Sequence, residues 1–250
     1  MKVVYHMKYA DVYANDPAAG PGRMEAIFEE LKKRGYEFIT PEPANEGDLL
    51  LVHSIDLIED VKRESTYEVS VLAVGGAIKC AELALAGEPA FGLIRPPGHH
   101  AGRDFNGGFC RFNNIAVAIE KLRIYGGINK PLIVDIDLHY GNGTEDIFRG
   151  KDVLFLNMNL IDREEYLFML RESLKRFKCY YYDIIAVSAG FDTYELDWGG
   201  TLKTEDYTAI GEMIKEASMA CGGRRFAVLE GGYYLPDLGK NVAAFLEGFK

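Results

Sequence analysis

The stretch Leu132-Ile133-Val134-Asp135-Ile136-Asp137-Leu138-His139 decides the fold. Its apolar residues form a run suited to a buried strand, yet polar side chains interrupt it at every second position. Successive side chains of a strand point to opposite faces, so Asp135, Asp137 and His139 are expected to project the same way. Two carboxylates and an imidazole side by side in a core are costly unless something positive holds them. A metal ion is the simplest such partner. The next residues, Tyr140-Gly141-Asn142-Gly143, end the strand in a loop, where α/β proteins place their chemistry.

Outward from this strand, β-rich apolar runs and amphipathic stretches alternate along the chain. The runs lie near 2–6, 37–40, 91–95, 131–138, 153–159, 184–189 and 226–230. The amphipathic stretches are 23–33, 67–86, 113–125, 164–178, 204–220 and 238–249. That order predicts a central parallel sheet with helices on both faces, a three-layer α/β architecture. At 250 residues, with no internal repeat and no composition break, residues 1–250 read as one domain.

A net charge of −10 argues against nucleic acid as a direct ligand. It suits a cationic substrate, but it is also ordinary for a soluble cytoplasmic protein. The amino terminus runs straight into a strand-like segment, so no signal peptide is expected. No apolar stretch reaches the ~20 residues that span a bilayer, so no membrane partner is expected either. Cys80, Cys110, Cys179 and Cys221 are scattered without CxxC spacing, as reduced thiols of a cytoplasmic protein would be.

Three further segments carry chemistry. Arg95-Pro96-Pro97-Gly98-His99-His100 places adjacent histidines in a proline-stiffened loop. Imidazole titrates near neutrality, so the pair suits acid/base work, although a solvated or structural pair is the commoner meaning of His-His alone. Ala189-Gly190-Phe191-Asp192 ends another buried run. Asp192 can complete an Asp/His/Asp metal set that leaves one coordination position open, or it is simply a turn or cap aspartate. Glu230-Gly231-Gly232-Tyr233 has paired glycines that permit close backbone approach. Its tyrosine hydroxyl can meet a developing oxyanion, or it is a core residue after a turn.

Together these segments, with Gly107-Gly108-Phe109-Cys110-Arg111-Phe112-Asn113-Asn114, stand in an order that resembles the zinc-dependent histone deacetylases. The resemblance is to the class II-like branch, which includes acetylpolyamine amidohydrolases and acetoin-utilisation proteins, and it extends to Pro21–Leu31 and His53–Val61. It implies an arginase/deacetylase-like fold and hydrolysis of an acetyl or other acyl group from an amine such as acetyl-lysine or an acetylated polyamine. It further implies Asp137, His139 and Asp192 as zinc ligands and His100 as general base. His99 is implied to pair with Asp135, and Tyr233 to polarise the scissile carbonyl. Gly108 and Phe109 are implied as one wall of the substrate tunnel, with Gly232 beside the substrate. The family often binds potassium through residues matching Asp135, Asp137 and His139, and Asn157 and Met158 lie where its other ligands arise. Iron(II) also suits such a mixed His/carboxylate set.

The sequence also departs from the family pattern. Asn142 stands where one branch has an aspartate beside the general base. Asn157 replaces a frequent serine at the potassium site. The long glycine-rich loop after Asn159 is missing, and Leu160–Tyr166 runs almost directly into a helix. The tunnel's second aromatic wall must then come from Tyr166, from Phe168 or from a partner subunit of a homo-oligomer, which predicts a shallower, wider site. Two rivals stand beside the deacetylase reading. One is an arginase-type ureohydrolase with two manganese ions, but the second carboxylate such a site needs, two residues after a metal aspartate, is Tyr194 here. The other is a non-catalytic metabolite-binding relative.

Overall fold

Seven apolar runs become strands: β1 Lys2–Val4, β2 Glu37–Ile39, β3 Ala90–Gly92, β4 Pro131–Asp135, β5 Leu154–Asn157, β6 Ile184–Ala189 and β7 Arg225–Leu229. A computed structural model describes residues 1–250 and pairs all seven in parallel, in the order β2-β1-β3-β7-β6-β4-β5. Every residue of β3, β4, β6 and β7 is buried, which explains why these strands read as continuous apolar runs.

The helices are α1 Arg23–Lys33, α2 Glu46–Leu49, α3 Ile55–Lys62, α4 Tyr67–Leu85, α5 Asn114–Lys121, α6 Asn142–Phe148, α7 Arg163–Phe177, α8 Thr204–Ser218 and α9 Leu235–Phe249. They pack in two groups against the sheet, α4 with α5 and α8 with α9 and α1. This is the expected three-layer architecture. Helices α2, α3 and α6 escape the sequence reading because each is too short to show helical periodicity. Their local signals lie in caps: Asn45 and Asp48 form a capping box on α2, and Ser54 caps α3. Asn142, expected in a loop, is the first residue of α6.

The deciding strand is shorter than its apolar run suggests. It leaves the sheet at Asp135, three residues before Leu138. Beyond Ile136, carboxylates replace neighbouring strands as hydrogen-bond acceptors. The Asp137 N–H donates to Asp135 Oδ1 (3.1 Å), the Leu138 N–H to Asp192 Oδ1 (3.1 Å) and the His139 N–H to Asp137 Oδ1 (2.9 Å). The polar residues that announce a site therefore also satisfy the backbone that carries it.

Strands β3, β7, β6 and β4 are consecutive in the sheet. The segments leaving their carboxyl ends are 93–100, 230–233, 190–193 and 136–139, the four that carry the unusual polar residues. Sheet order alone brings them to one edge, where open α/β sheets bind ligands.

Candidate metal centre and active site

Asp137, His139 and Asp192 meet at this edge, with one ligand atom from each within 4.8 Å of the others. His139 Nδ1 lies 3.2 Å from Asp137 Oδ1 and 3.0 Å from Asp192 Oδ2. Both carboxylates are fully buried, and Asp192 Oδ2 has no hydrogen-bond donor. Burial, with the Asp137 charge beside it, pushes the Asp192 carboxyl up to about 6. A hydrogen bond to Asp137, with the Asp192 carboxylate close beside it, pushes His139 up to about 10, so in this arrangement a proton on His139 does part of a cation's work.

Desolvating a carboxylate costs several kcal/mol per ion even after relaxation. Structural zinc sites release roughly 10 kcal/mol or more on binding, enough to offset two such groups. Gly231 makes room for this cluster: a Cβ there would lie 2.6 Å from both Asp137 Oδ2 and Asp192 Oδ2. An orphaned buried oxygen, two carboxylates and one imidazole make a donor set that fits a divalent ion of zinc type.

The two histidines differ sharply in environment. His99 is 3% exposed, with Nδ1 3.0 Å from Asp135 Oδ2. Burial opposes its charge, but Asp135 and Asp137 outweigh burial and hold the ring well above the usual imidazole range. His100 is half-buried, and its Nδ1 lies 2.6 Å from Asn142 Oδ1. An amide oxygen only accepts, so Nδ1 carries the hydrogen and Nε2 is left with a free lone pair. Burial and the His99 charge hold His100 below the usual imidazole range, partly offset by the Asn142 bond.

Fixed groups stiffen the loop beneath. Glu230 Oε2 accepts the N–H groups of Gly98 (2.6 Å) and His99 (3.3 Å). His53 bridges Gly102 O (2.8 Å) and the Asn113 N–H (2.9 Å), and burial holds it down to about 4, in the neutral form this bridge needs. A second buried group, His99, Cys110 and Glu230, also has ligand atoms within 4.8 Å of one another. There His99 and Glu230 already hold the loop in place.

A cavity of about 160 Å³ opens beside these groups, lined among others by His99, His100, Asp137, His139, Gly108, Phe109 and Tyr233. Tyr233 has no hydrogen-bond partner on its hydroxyl, and burial keeps that hydroxyl protonated, well above the usual phenol range. Phe109 is the one non-glycine residue with a left-handed backbone (φ 69°), directly after Gly108 (φ 54°). A side chain on Gly108 would collide with the His100 ring. The expected wall residue Gly108 thus packs onto the expected base, and Phe109 lines the same cavity with its ring edge-on to Tyr233.

The other wall differs from expectation. Tyr166 is fully buried with its hydroxyl toward Ile136 O, and Phe168 is 61% exposed on α7 away from the cavity. The cavity is lined instead by Trp198, whose ring stacks on Tyr233 with centroids 4.2 Å apart. Helix α7 begins at Arg163 with Tyr166 on its buried side, and the Asp192–Gly200 turn carries Trp198 to the cavity. The signal available in the sequence was that Trp198 is the chain's single tryptophan and precedes Gly199-Gly200.

Gly231, not Gly232, reaches the cavity. Gly232 lies behind it with its carbonyl accepting from Arg23 Nε at 2.8 Å. Asn157 Oδ1 accepts the Gly141 N–H (2.8 Å), and the Met158 N–H donates to Asp135 O (2.8 Å), so both brace the strand end.

A model of the histone deacetylase domain matches residues 18–160 and 155–249. A probable deacetylase of Methanothermobacter thermautotrophicus is 31% identical over an alignment that covers 98% of this chain and 90% of that protein. The acetylpolyamine amidohydrolase of Mycoplana ramosa is 36% identical over 73% of this chain, a match that spans 63% of the relative's own length. Among solved structures, the HDA15 HD domain superposes over 99% of this chain and 88% of its own, with a TM-score of 0.88 and 25% identity.

Proposed function

The chain belongs to the histone deacetylase family, and on that premise we propose that it hydrolyses the acyl amide of a primary amine, acetyl-lysine or an acetylated polyamine, with one zinc ion. The observation that carries this reading is the meeting of Asp137, His139 and Asp192 with His100 and Tyr233 around one small cavity. Asp137, His139 and Asp192 would hold the ion. Zinc bound there supplies Lewis acidity, polarising a carbonyl and acidifying water.

The chain's own groups do the rest. His100 Nε2 takes the proton that the attacking water gives up, then delivers it to the amine nitrogen as the C–N bond breaks. The Tyr233 hydroxyl donates to the carbonyl oxygen as negative charge grows on it. His99, held in its charged form by Asp135, is a source of positive potential beside His100 and a poor base at neutral pH. Phe109, Gly108 and Gly231 bound the space that the acyl amide enters. The products are a carboxylate and a free amine.

An acidic surface and the polyamine-directed relatives favour a small cationic amine as substrate, and a cytoplasmic setting fits it. No helix is long and apolar enough to cross a membrane. The case for potassium rests on the resemblance alone, because Asn157 Oδ1 is already taken by Gly141. The test is acetate release from acetyl-lysine peptides and mono-acetylated diamines by the zinc-loaded chain. Release of acetate and free amine in equal amounts supports the proposal. Urea from a guanidino substrate, or binding without turnover, selects one of the rivals.

The pH profile gives an independent check. A base whose pKa is lowered stays neutral to lower pH, so activity should persist below the ordinary imidazole value of about 6.5 before it falls. Asn142→Asp puts a carboxylate on His100 Nδ1 and raises that pKa. The acidic limb of kcat/KM should then move toward neutrality, and an unmoved limb would remove His100 from the role of base.

A further inference from the structure

We propose that Asp197 is a positioning residue for the Tyr233 hydroxyl, clamping the tyrosine's backbone to the turn that also carries Asp192. The proposal rests on the deacylase reading of the site and adds the residue that keeps its carbonyl-polarising donor in register with the ion.

Tyr233 needs such a clamp. It follows Gly231-Gly232, and Gly232 has a left-handed backbone (φ 119°) that glycine alone adopts freely. A pair of glycines leaves the chain many conformations, so local backbone preference does not settle where the next residue points. No hydrogen bond within the chain holds the hydroxyl itself. Its position must therefore be set from the backbone end of the side chain.

Asp197 acts at that end. Its Oδ2 accepts the N–H groups of both Tyr233 (2.6 Å) and Tyr234 (2.7 Å), and its Oδ1 accepts the Trp198 N–H (2.8 Å). Hydrogen bonds to an ionised carboxylate are roughly twice as strong as neutral ones. One oxygen that takes two successive N–H groups fixes the direction of the chain as well as its place. On the other side of Tyr233, Arg23 Nε donates to Gly232 O (2.8 Å) and Nη2 to Glu230 O. The tyrosine backbone is thus held between a guanidinium and a carboxylate. The Trp198 ring then stacks on the Tyr233 ring (centroids 4.2 Å apart, 26°), so one short segment orients both backbone and ring.

The clamp leads back to the ion site. The Asp197 N–H donates to Tyr194 O (2.9 Å) and the Gly199 N–H to Asp192 O (2.7 Å), closing the turn on Asp192. The Phe191 N–H donates to Gly231 O (3.1 Å), a second tie between the two segments. In the proposed reaction Asp192 and Tyr233 act on the same carbonyl, one through the ion and the other through its hydroxyl. Asp197 fixes the spacing between them.

The test follows turnover of a mono-acetylated diamine by zinc-loaded protein. Misplacing a reacting group by about 1 Å can cost on the order of 10²-fold, so Asp197→Ala should lower kcat by about that factor with KM and zinc content close to wild type. Asp197→Asn keeps an oxygen for the two N–H groups without the charge and should lose less. The deciding step adds each substitution to Tyr233→Phe. With the hydroxyl gone there is nothing left to position, and kcat should fall no further than in Tyr233→Phe alone. An equal fold-loss in both backgrounds would make Asp197 a purely structural residue and overturn the proposal, as would full kcat in Asp197→Ala.

A second readout does not depend on turnover. In protein labelled with 3-fluorotyrosine, the fluorine line that vanishes in Tyr233→Phe belongs to Tyr233. That line should be single and sharp in the wild type and broadened or split in Asp197→Ala, and an unchanged line would overturn the clamp. Should Asp197→Ala fail to fold, Asp197→Asn carries both comparisons. If the wild type releases no acetate, the deacylase reading fails, and the fluorine spectrum then decides the clamp by itself.

Discussion

Tyr233→Phe is expected to lower kcat by roughly 10²–10³-fold, the cost of losing one donor to a developing oxyanion. The substitution removes a single oxygen, and that oxygen has no partner within the chain, so no native hydrogen bond is lost with it. The stack on Trp198 at 4.2 Å uses the ring alone and should survive. KM, metal content and the denaturation midpoint should therefore stay close to the wild type while turnover collapses. Steady-state kinetics of acetate release, with a denaturation curve on the same preparation, checks this. Near-normal kcat would remove Tyr233 from the chemistry, and a joint fall in kcat and stability would make it a structural residue.

The second large effect falls on the metal. Asp192→Ala deletes one of the three proposed ligands, and affinity for zinc should drop by more than the ~10²-fold that losing a mere outer hydrogen-bond partner of a ligand can cost. Alanine also removes the acceptor of the Leu138 N–H, so part of any loss could come from the loop. Asp192→Asn separates the two causes. An amide oxygen can still accept from Leu138, but it offers no negative charge to the ion. Dialysis against a graded chelator, followed by metal analysis, should show both variants losing zinc well before the wild type does. Equal retention in all three would assign the ion elsewhere.

Much of this site was legible in the sequence because its residues lie next to strand ends, where a polar side chain in an apolar run is conspicuous. Asp135, Asp137 and His139 stood out for that reason. The inference that all three share one face of a continuous strand was too simple, since the strand stops at Asp135 and carboxylates take over the backbone bonding. Sheet order completed the set: Asp192 is 53 positions from His139, yet β6 lies directly beside β4.

Residues that act from turns were harder to read. Trp198 and Asp197 sit in a segment with no periodicity, so no local pattern announces that Trp198 lines the cavity. Glu230 looked like part of a glycine turn. Its hold on the Gly98 and His99 N–H groups joins segments more than 130 residues apart, which no local pattern encodes. Tyr166 illustrates the reverse error, an aromatic residue near the expected wall that helix phase turns into the core.

The requirement for a single ion in the Asp137–His139–Asp192 cluster is tested most directly by titrating metal back into the protein. Chelated and dialysed chain should release no acetate, and activity should rise linearly with added zinc to a plateau at one equivalent per chain. Full activity in the chelated protein, or a plateau reached only at two equivalents, would contradict a mononuclear centre built from these three side chains.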